Sequence, residues 1–427
     1  MNLEAWLSLL ERRHPRAIDL GLDRCRAVYR RLGEPRPAKE VLIVAGTNGK
    51  GSTVAYLAAL SGALGQRHGT YTSPHIFRFN ERVCIMGEAV ADQTLVQAFA
   101  QVEAARNGIS LTYFEFTTLA AFLIMQQAEL DRAILEVGLG GRLDTVNLVD
   151  ADCVVITPIG LDHQDYLGSD LDSIAAEKAG VIRAGKPVVC TEAEPPTPVT
   201  AAAARLHAPV FRRGEAFDLK QSAQGSDRLQ FMQGKQAMPV LPPPMPGAYQ
   251  LDNLAAALCA CSLLNPAFFD RPGAISDAIR NTSIPGRLQK VGTDPEIFLD
   301  VGHNALAAEA VATFLAGQER RGAGTVCVLA MLADKPAEEV ALALGGSCQR
   351  WLCAGLPGQR GQKGEVLARR LVSVLPKADV KAMPSVDEAM QAALADHGGF
   401  GRVLVFGSFV TVASAANWLR AHLVSCC

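Results

Sequence analysis

Short apolar runs of strand length alternate along this chain with stretches of helical spacing, the pattern of an α/β protein built on parallel sheets. Val41–Ala45 is the first such run, rich in β-branched residues, and it reads as a strand buried on both faces. Gly46-Thr47-Asn48-Gly49 breaks the run as a turn, and from Lys50 the spacing becomes helical, with Val54, Leu57, Ala58 and Leu64 on one face. Leu119–Glu129 reads as a buried helix, Arg132–Val137 as a second core strand, Cys153–Ile159 as a third and Val188–Cys190 as a fourth. Between 209 and 246 the chain turns polar and glutamine-rich, ending in Pro242-Pro243-Pro244, which predicts short antiparallel strands at a sheet edge. Gln250–Leu264 returns to helix.

Ser283-Ile284-Pro285-Gly286-Arg287 punctuates the chain, and a second α/β rhythm starts beyond it. Its strands are Ile297–Val301, Thr325–Met331 and Arg402–Phe406. Its helices are Ala305–Arg321, Pro336–Leu344 and Val410–Leu423. Two domains are therefore expected, 1–289 and 290–427, with no internal repeat or low-complexity tract.

Composition narrows the partners. A chain of 427 residues with a formal net charge of −2 lacks the basic excess that nucleic acid or an anionic membrane would demand. The longest apolar stretches, around Leu119–Met125 and Leu254–Leu264, are too short to span a bilayer. Glu4 and the run Glu11-Arg12-Arg13-His14 read against a secretory signal. The eleven cysteines show no zinc-ligand spacing, and Cys259, Cys261 and the terminal Cys426-Cys427 read as reduced thiols of a cytoplasmic protein.

The candidate chemistry is positional. Strand, glycine turn carrying a lysine, then helix N-terminus is the construction that cradles nucleotide phosphates, although Val44 stands where the standard P-loop has glycine. Two more core strands end in glycine turns with polar groups, Glu136 before Gly138-Leu139-Gly140-Gly141-Arg142, and Asp162-His163 after Gly160. In an open parallel sheet such groups meet in the crevice at the carboxyl ends of the strands. Glu136 is either a magnesium ligand or a strand-end acid facing water. His163 is a ligand or a loop histidine, and Lys178 by default a solvated helix charge. The Gly138–Arg142 turn matches a dinucleotide cradle only weakly. Asp300, Gly302, His303 and Asn304 close a strand of the second domain, so a nucleotide held between two α/β domains is expected.

In combination the motifs are specific. GTNGKGS (46–52), YTSPH (71–75), LTYFEF (111–116), LEVGLGGRLDTVN (135–147), LDH (161–163), EKAG (177–180), PGR (285–287), DVGHN (300–304) and FGSF (406–409) occur in this order. Together they resemble the folylpolyglutamate synthases of the Mur ligase superfamily, most of all the bacterial bifunctional form that is also a dihydrofolate synthase. The resemblance implies a P-loop parallel-sheet ATPase domain followed by a smaller Rossmann-like domain. It also implies an ATP-dependent ligase that joins L-glutamate to dihydropteroate and to reduced folates through an acyl phosphate. On it, Thr47, Asn48, Gly49, Lys50, Gly51 and Ser52 would cradle ATP, with Asn253, Arg287 and Asp300 as further nucleotide contacts. Ser73, Glu136 and His163 would bind magnesium, and Lys178, carbamylated, a second magnesium. Lys50, His163 and Lys178 would be the catalytic set. The pocket for the acid substrate would draw on Ile18, Asp19, Leu20, Thr112, Tyr113, Phe114, Glu115, Leu143, Asp144 and Thr145, with His303 lining the cleft. A monomer acting on small molecules is implied. A monofunctional folylpolyglutamate synthase and a peptidoglycan-precursor ligase stay open as alternatives, though LTYFEF and GGRLDTVN favour the folate branch.

Overall fold

The computed structural model describes residues 1–14, 18–222, 228–319, 322, 324–395 and 399–423, so Cys426-Cys427 lie outside the described residues. The chain divides into two compact units, Met1–Pro244 with Gln250–Thr282, and Met245–Tyr249 with Ser283–Cys427.

The first unit is organised by an eight-stranded sheet. Its strands are β1 (Glu40–Ala45), β2 (His68–Tyr71), β3 (Val83–Ile85), β4 (Glu88–Ala89), β5 (Arg132–Glu136), β6 (Cys153–Ile156), β7 (Val188–Cys190) and β8 (Val210–Arg212). They lie in the order β4-β3-β2-β5-β1-β6-β7-β8. All pairings are parallel except those of β3 with β2 and with β4 at one edge. The central strands β1, β5 and β6 are almost wholly buried, as strands covered on both faces must be. Register fixes the site: Val44 of β1 lies opposite Glu136 of β5, and Ala45 opposite Ile156 of β6. The Gly46 turn, Glu136 and the loop after Ile156 thus leave the sheet side by side.

Two expectations change here. The helix placed from Leu119 begins six residues earlier, as Tyr113–Gln127. Thr112 is its N-cap and Glu115 completes a capping box, so polar side chains nucleate a helix whose apolar run starts later. The polar segment 209–246 contributes only β8 to the large sheet edge. Strands β9 (Phe217–Gln221), β10 (Leu229–Gln233) and β11 (Gln236–Val240) form a separate three-stranded antiparallel sheet. The reason is alternation: Phe217 and Leu219, Leu229 and Phe231, and Met238 and Val240 give it one buried face of its own. Phe231 packs there on Phe268 and Phe269, with ring centroids 6.2 and 6.1 Å away.

The second unit holds a six-stranded sheet of β12 (Gln289–Thr293), β13 (Glu296–Asp300), β14 (Thr325–Leu329), β15 (Arg350–Ala354), β16 (Asp379–Met383) and β17 (Arg402–Phe406). The order is β12-β13-β17-β14-β15-β16, parallel except for β12. The helix expected to reach Arg321 spans Ala305–Ala316, and Arg321 lies outside the described residues. Strands β15 and β16 carry no β-branched run, and β16 is largely exposed at the edge, so neither stood out in the sequence. Trp351 of β15 is nevertheless fully buried in the core of this unit.

Candidate active site

The turn after β1 is shaped to expose its backbone. Gly46 has φ 146° and Gly49 φ 88°. A Cβ on Gly46 would stand 1.8 Å from Thr157 Oγ1, and one on Gly49 would stand 2.5 Å from Asn253 Oδ1. Neither position accepts a side chain, which is why glycine falls there. No side chain caps the helix Lys50–Ala63, so its first-turn N–H groups stay available to an anion. Thr47 anchors the turn: its N–H donates to Pro158 O (2.8 Å), its hydroxyl to Gly160 O (3.0 Å), and it accepts from Gly160 N–H (3.0 Å). Lys50 folds back, its Nζ donating to Gly46 O (3.1 Å) and Thr47 O (2.9 Å). Ser52 is buried and accepts from Gln250 Nε2 at 3.4 Å, a partner that no local pattern predicts across 198 positions. The Asn253 amide nitrogen is buried without an acceptor among the described residues. An orphan donor beside an anion-shaped turn fits a nucleotide.

Lys178 is not a solvated helix charge. It is 4% exposed, and its Nζ donates to Gly46 O at 2.8 Å. Burial pushes its pKa down to about 7, helped by the neighbouring Lys50 and opposed by Asp162 and Asp144. Two lysines therefore address one carbonyl of the phosphate turn.

Glu136, 6% exposed at the end of β5, accepts from the Ser73 N–H at 3.2 Å, so these two candidate ligands are adjacent. His163 stands in the left-handed region (φ 53°), its N–H donating to Asp162 Oδ1 at 2.9 Å. Among the described residues no three His, Cys, Asp or Glu side chains are gathered as a metal cage. The protein groups here would make part of a magnesium shell, the fit expected of an ion that keeps phosphate oxygens and water.

The residues assigned to the acid pocket divide. Asp144 is buried, with Oδ2 accepting from Leu139 N–H (2.9 Å) and Oδ1 from Val146 N–H (2.8 Å). Burial pushes its pKa up to about 6, against backbone hydrogen bonds and Lys50. It braces the glycine turn, and the remaining lone pairs of its carboxylate leave it able to accept from a ligand as well. Glu115 is likewise committed, to the capping box and to Arg24, whose Nε lies 2.9 Å from Oε2 and Nη2 2.9 Å from Oε1. Arg24 also pairs with Asp19 at 2.7 Å. Thr112 and Thr145 are buried, whereas Ile18, Leu20, Tyr113, Phe114 and Leu143 are half-buried and able to meet a ligand. The glycines of 138–141 serve packing and not a dinucleotide cradle. A Cβ on Gly138 would meet the Phe114 ring at 2.5 Å, and one on Gly141 the Glu177 carbonyl at 2.8 Å.

In the second unit Asp300 ends β13, buried, accepting from Leu288 N–H (2.8 Å) and Gly302 N–H (2.7 Å). Burial raises its pKa while Arg287 opposes the shift. The Arg287 guanidinium lies 5.3 Å from the Phe409 ring centroid, and His303 Nδ1 lies 3.1 Å from Val301 O. Asn304 caps the helix Ala305–Ala316 through Ala307 N–H. These residues gather at the carboxyl ends of β13 and β17, where Asp300 lies opposite Phe406.

Comparison with known proteins agrees with this geometry. Residues 44–261 match the Mur ligase middle domain, and residues 286–409 match the Mur ligase glutamate ligase domain. The dihydrofolate synthase/folylpolyglutamate synthase of Escherichia coli (strain K12) is 40% identical over 423 residues, 98% of this chain and 96% of that protein. An E. coli FolC structure in complex with DHPP and ADP superposes with a TM-score of 0.90 at 38% identity, covering 99% of each chain. The Yersinia pestis bifunctional enzyme complexed with AMPPNP and Mn ion gives a TM-score of 0.87 at 39% identity, over 99% of this chain and 98% of that one.

Proposed function

From the premise that this chain belongs to the dihydrofolate synthase/folylpolyglutamate synthase family of the Mur ligases, ATP-dependent amide-forming enzymes, we propose which acids it uses and which residues do the work. The acceptors are dihydropteroate, giving dihydrofolate, and reduced folates, giving polyglutamates. Free L-glutamate supplies the amine. The observation that carries the reading is the convergence of Lys50 and Lys178 on the Gly46 carbonyl, beside a turn that excludes side chains and next to the Glu136–Ser73 pair.

A carboxylate is a poor electrophile until one of its oxygens becomes a good leaving group. In the first step a carboxylate oxygen attacks the γ-phosphorus of ATP and the bond to ADP breaks. In the second the glutamate amine attacks the acyl carbon, loses a proton, and phosphate departs. The protein's task is to hold the partners in line and to offset charge. Turn residues 47–52 and Asn253 bind phosphates and nucleotide, while Lys50 swings from its carbonyls to the transferring phosphoryl group. By the resemblance Arg287 and Asp300 would supply further nucleotide contacts and His303 a substrate contact. Ser73, Glu136 and His163 would hold one magnesium, and Lys178, as a carbamate, a second. Magnesium when bound neutralises the phosphate oxygens. A lysine with pKa near 7 is substantially neutral at working pH, which is the form able to take up carbon dioxide. ATP binding belongs in this reading to the first unit, Met1–Pro244 with Gln250–Thr282, and glutamate ligation to the second, so the boundary expected at 289 moves back to Ser283. Among the described residues no helix is long and apolar enough to cross a membrane, and all the cysteines but Cys84 are buried free thiols. A cytoplasmic monomer is part of the same proposal and rests on the resemblance alone.

The test is glutamate incorporation by purified protein with ATP and magnesium, comparing dihydropteroate, a reduced folate and a peptidoglycan-precursor acid. Incorporation into the first two supports the reading. Use of the reduced folate alone makes the enzyme monofunctional, and use of the third alone overturns the assignment.

A further inference from the structure

Arg82 is 9% exposed, yet among the described residues no carboxylate pairs with it. Buried arginines are ordinarily matched to an acid, because an unbalanced charge is costly to remove from water. The neighbouring acid is spoken for: Glu81 accepts from the backbone N–H groups of Ile76 (2.8 Å), Phe77 (3.0 Å) and Arg78 (2.7 Å). Arg82 is nonetheless held firmly. Its carbonyl accepts from Thr72 N–H at 2.9 Å and its Nε donates to His75 Nδ1 at 3.0 Å. Its guanidinium carbon lies 5.3 Å from the Phe79 ring centroid and 5.4 Å from that of Tyr113. His75 brings no negative charge, since its ring nitrogen acts as the acceptor. Among the described residues Nε alone of the guanidinium is hydrogen-bonded within the protein, and the group rests on an aromatic seat.

The seat lies on the segment that carries Ser73, and Tyr113 opens the helix assigned to the acid pocket. It is therefore near the reacting centre but apart from the phosphate turn, where Lys50 and Lys178 already supply positive charge. A planar fork with no internal partner, beside the acid pocket and off the phosphate path, suits a carboxylate that does not react. Resting on the acceptor set given above, we propose that Arg82 receives the α-carboxylate of the terminal glutamate on folyl acceptors. Dihydropteroate has only its reacting carboxylate, so Arg82 is a specificity residue for chain extension.

The test is steady-state kinetics of wild type and Arg82→Gln with three acceptors. These are dihydropteroate, a reduced monoglutamyl folate, and the same folate with γ-aminobutyrate replacing glutamate, which keeps the reacting carboxylate and loses the α one. Wild type should show a KM at least about tenfold higher for the γ-aminobutyrate acceptor than for the folate, the loss of one charge-assisted fork. Arg82→Gln should raise KM for the folate by a similar factor, raise that for dihydropteroate much less, and no longer separate the two folates. Arg82→Lys, which keeps charge without the fork, should fall between. Equal KM for the two folates in wild type overturns the proposal even if the glutamine variant does not fold. Equal losses on folate and dihydropteroate overturn it as well. Wild type unable to extend any folate would instead refute the acceptor set itself.

Discussion

Lys50 and Lys178 face one carbonyl but differ in what their loss should do. Lys50→Ala should abolish turnover and weaken ATP binding, because a charge-assisted contact worth roughly 1.5–3 kcal/mol disappears along with transition-state stabilisation; near-normal turnover would contradict the phosphate role. Lys178 is held at a cost to the fold. Its native pKa lies near 7, below the ordinary 10.5, so between those values the unfolded chain binds more protons than the folded one. Its contribution to stability therefore rises as pH climbs from about 7 to 10.5 and is least favourable below 7. Lys178→Met should lose ligase activity, unfold at higher denaturant concentration than wild type at neutral pH, and show a flatter stability rise over that window. Chemical denaturation at several pH values measures this, and a less stable variant with an unchanged slope would refute it. Asp144 shows where sequence reading stopped short. Its place after a glycine turn marked it as a pterin-side acceptor, but nothing in the sequence told that it also braces the turn through the Leu139 and Val146 N–H groups. Asp144→Ala should therefore lower thermal stability and impair dihydropteroate use more than extension of a glutamylated folate; equal losses on both acceptors would leave it the bracing role alone.

At the scale of elements, the strands legible in the sequence were those whose burial is forced by β-branched runs, β1, β5, β6 and β17. Elements started by polar side chains were not. The helix Tyr113–Gln127 begins at a Thr112–Glu115 capping box, while its apolar spacing alone pointed to Leu119. Thr112→Ala should cost about 1 kcal/mol of folding stability, and it should also loosen Glu115 from Thr112 N–H. Urea unfolding would register the first effect, and no shift in midpoint would show that Arg24 alone holds Glu115. The antiparallel sheet β9–β11 was visible as strands but not as a separate sheet, because pairing partners are decided by which buried face Phe231 finds, and that contact is distant in sequence.

Across the whole molecule, the sequence conveyed the repeated α/β rhythm and the groups at strand ends, since both follow from local pattern and topology. The Arg82–Tyr113, Gln250–Ser52 and Arg24–Glu115 contacts depend on neighbours distant in sequence and are not legible there, whereas the bonds of Asp144 to Leu139 and Val146 N–H groups are local. The central claim is that these groups activate a carboxylate by phosphorylating it. It is tested most directly with an acceptor whose reacting carboxylate carries oxygen-18, turned over with ATP, magnesium and glutamate, followed by mass analysis of the released phosphate. Attack of the carboxylate on the γ-phosphorus, then expulsion of phosphate by the amine, requires each phosphate formed to carry one oxygen from the acceptor. Phosphate free of oxygen-18 while amide accumulates would contradict the acyl phosphate and, with it, the role assigned to the site.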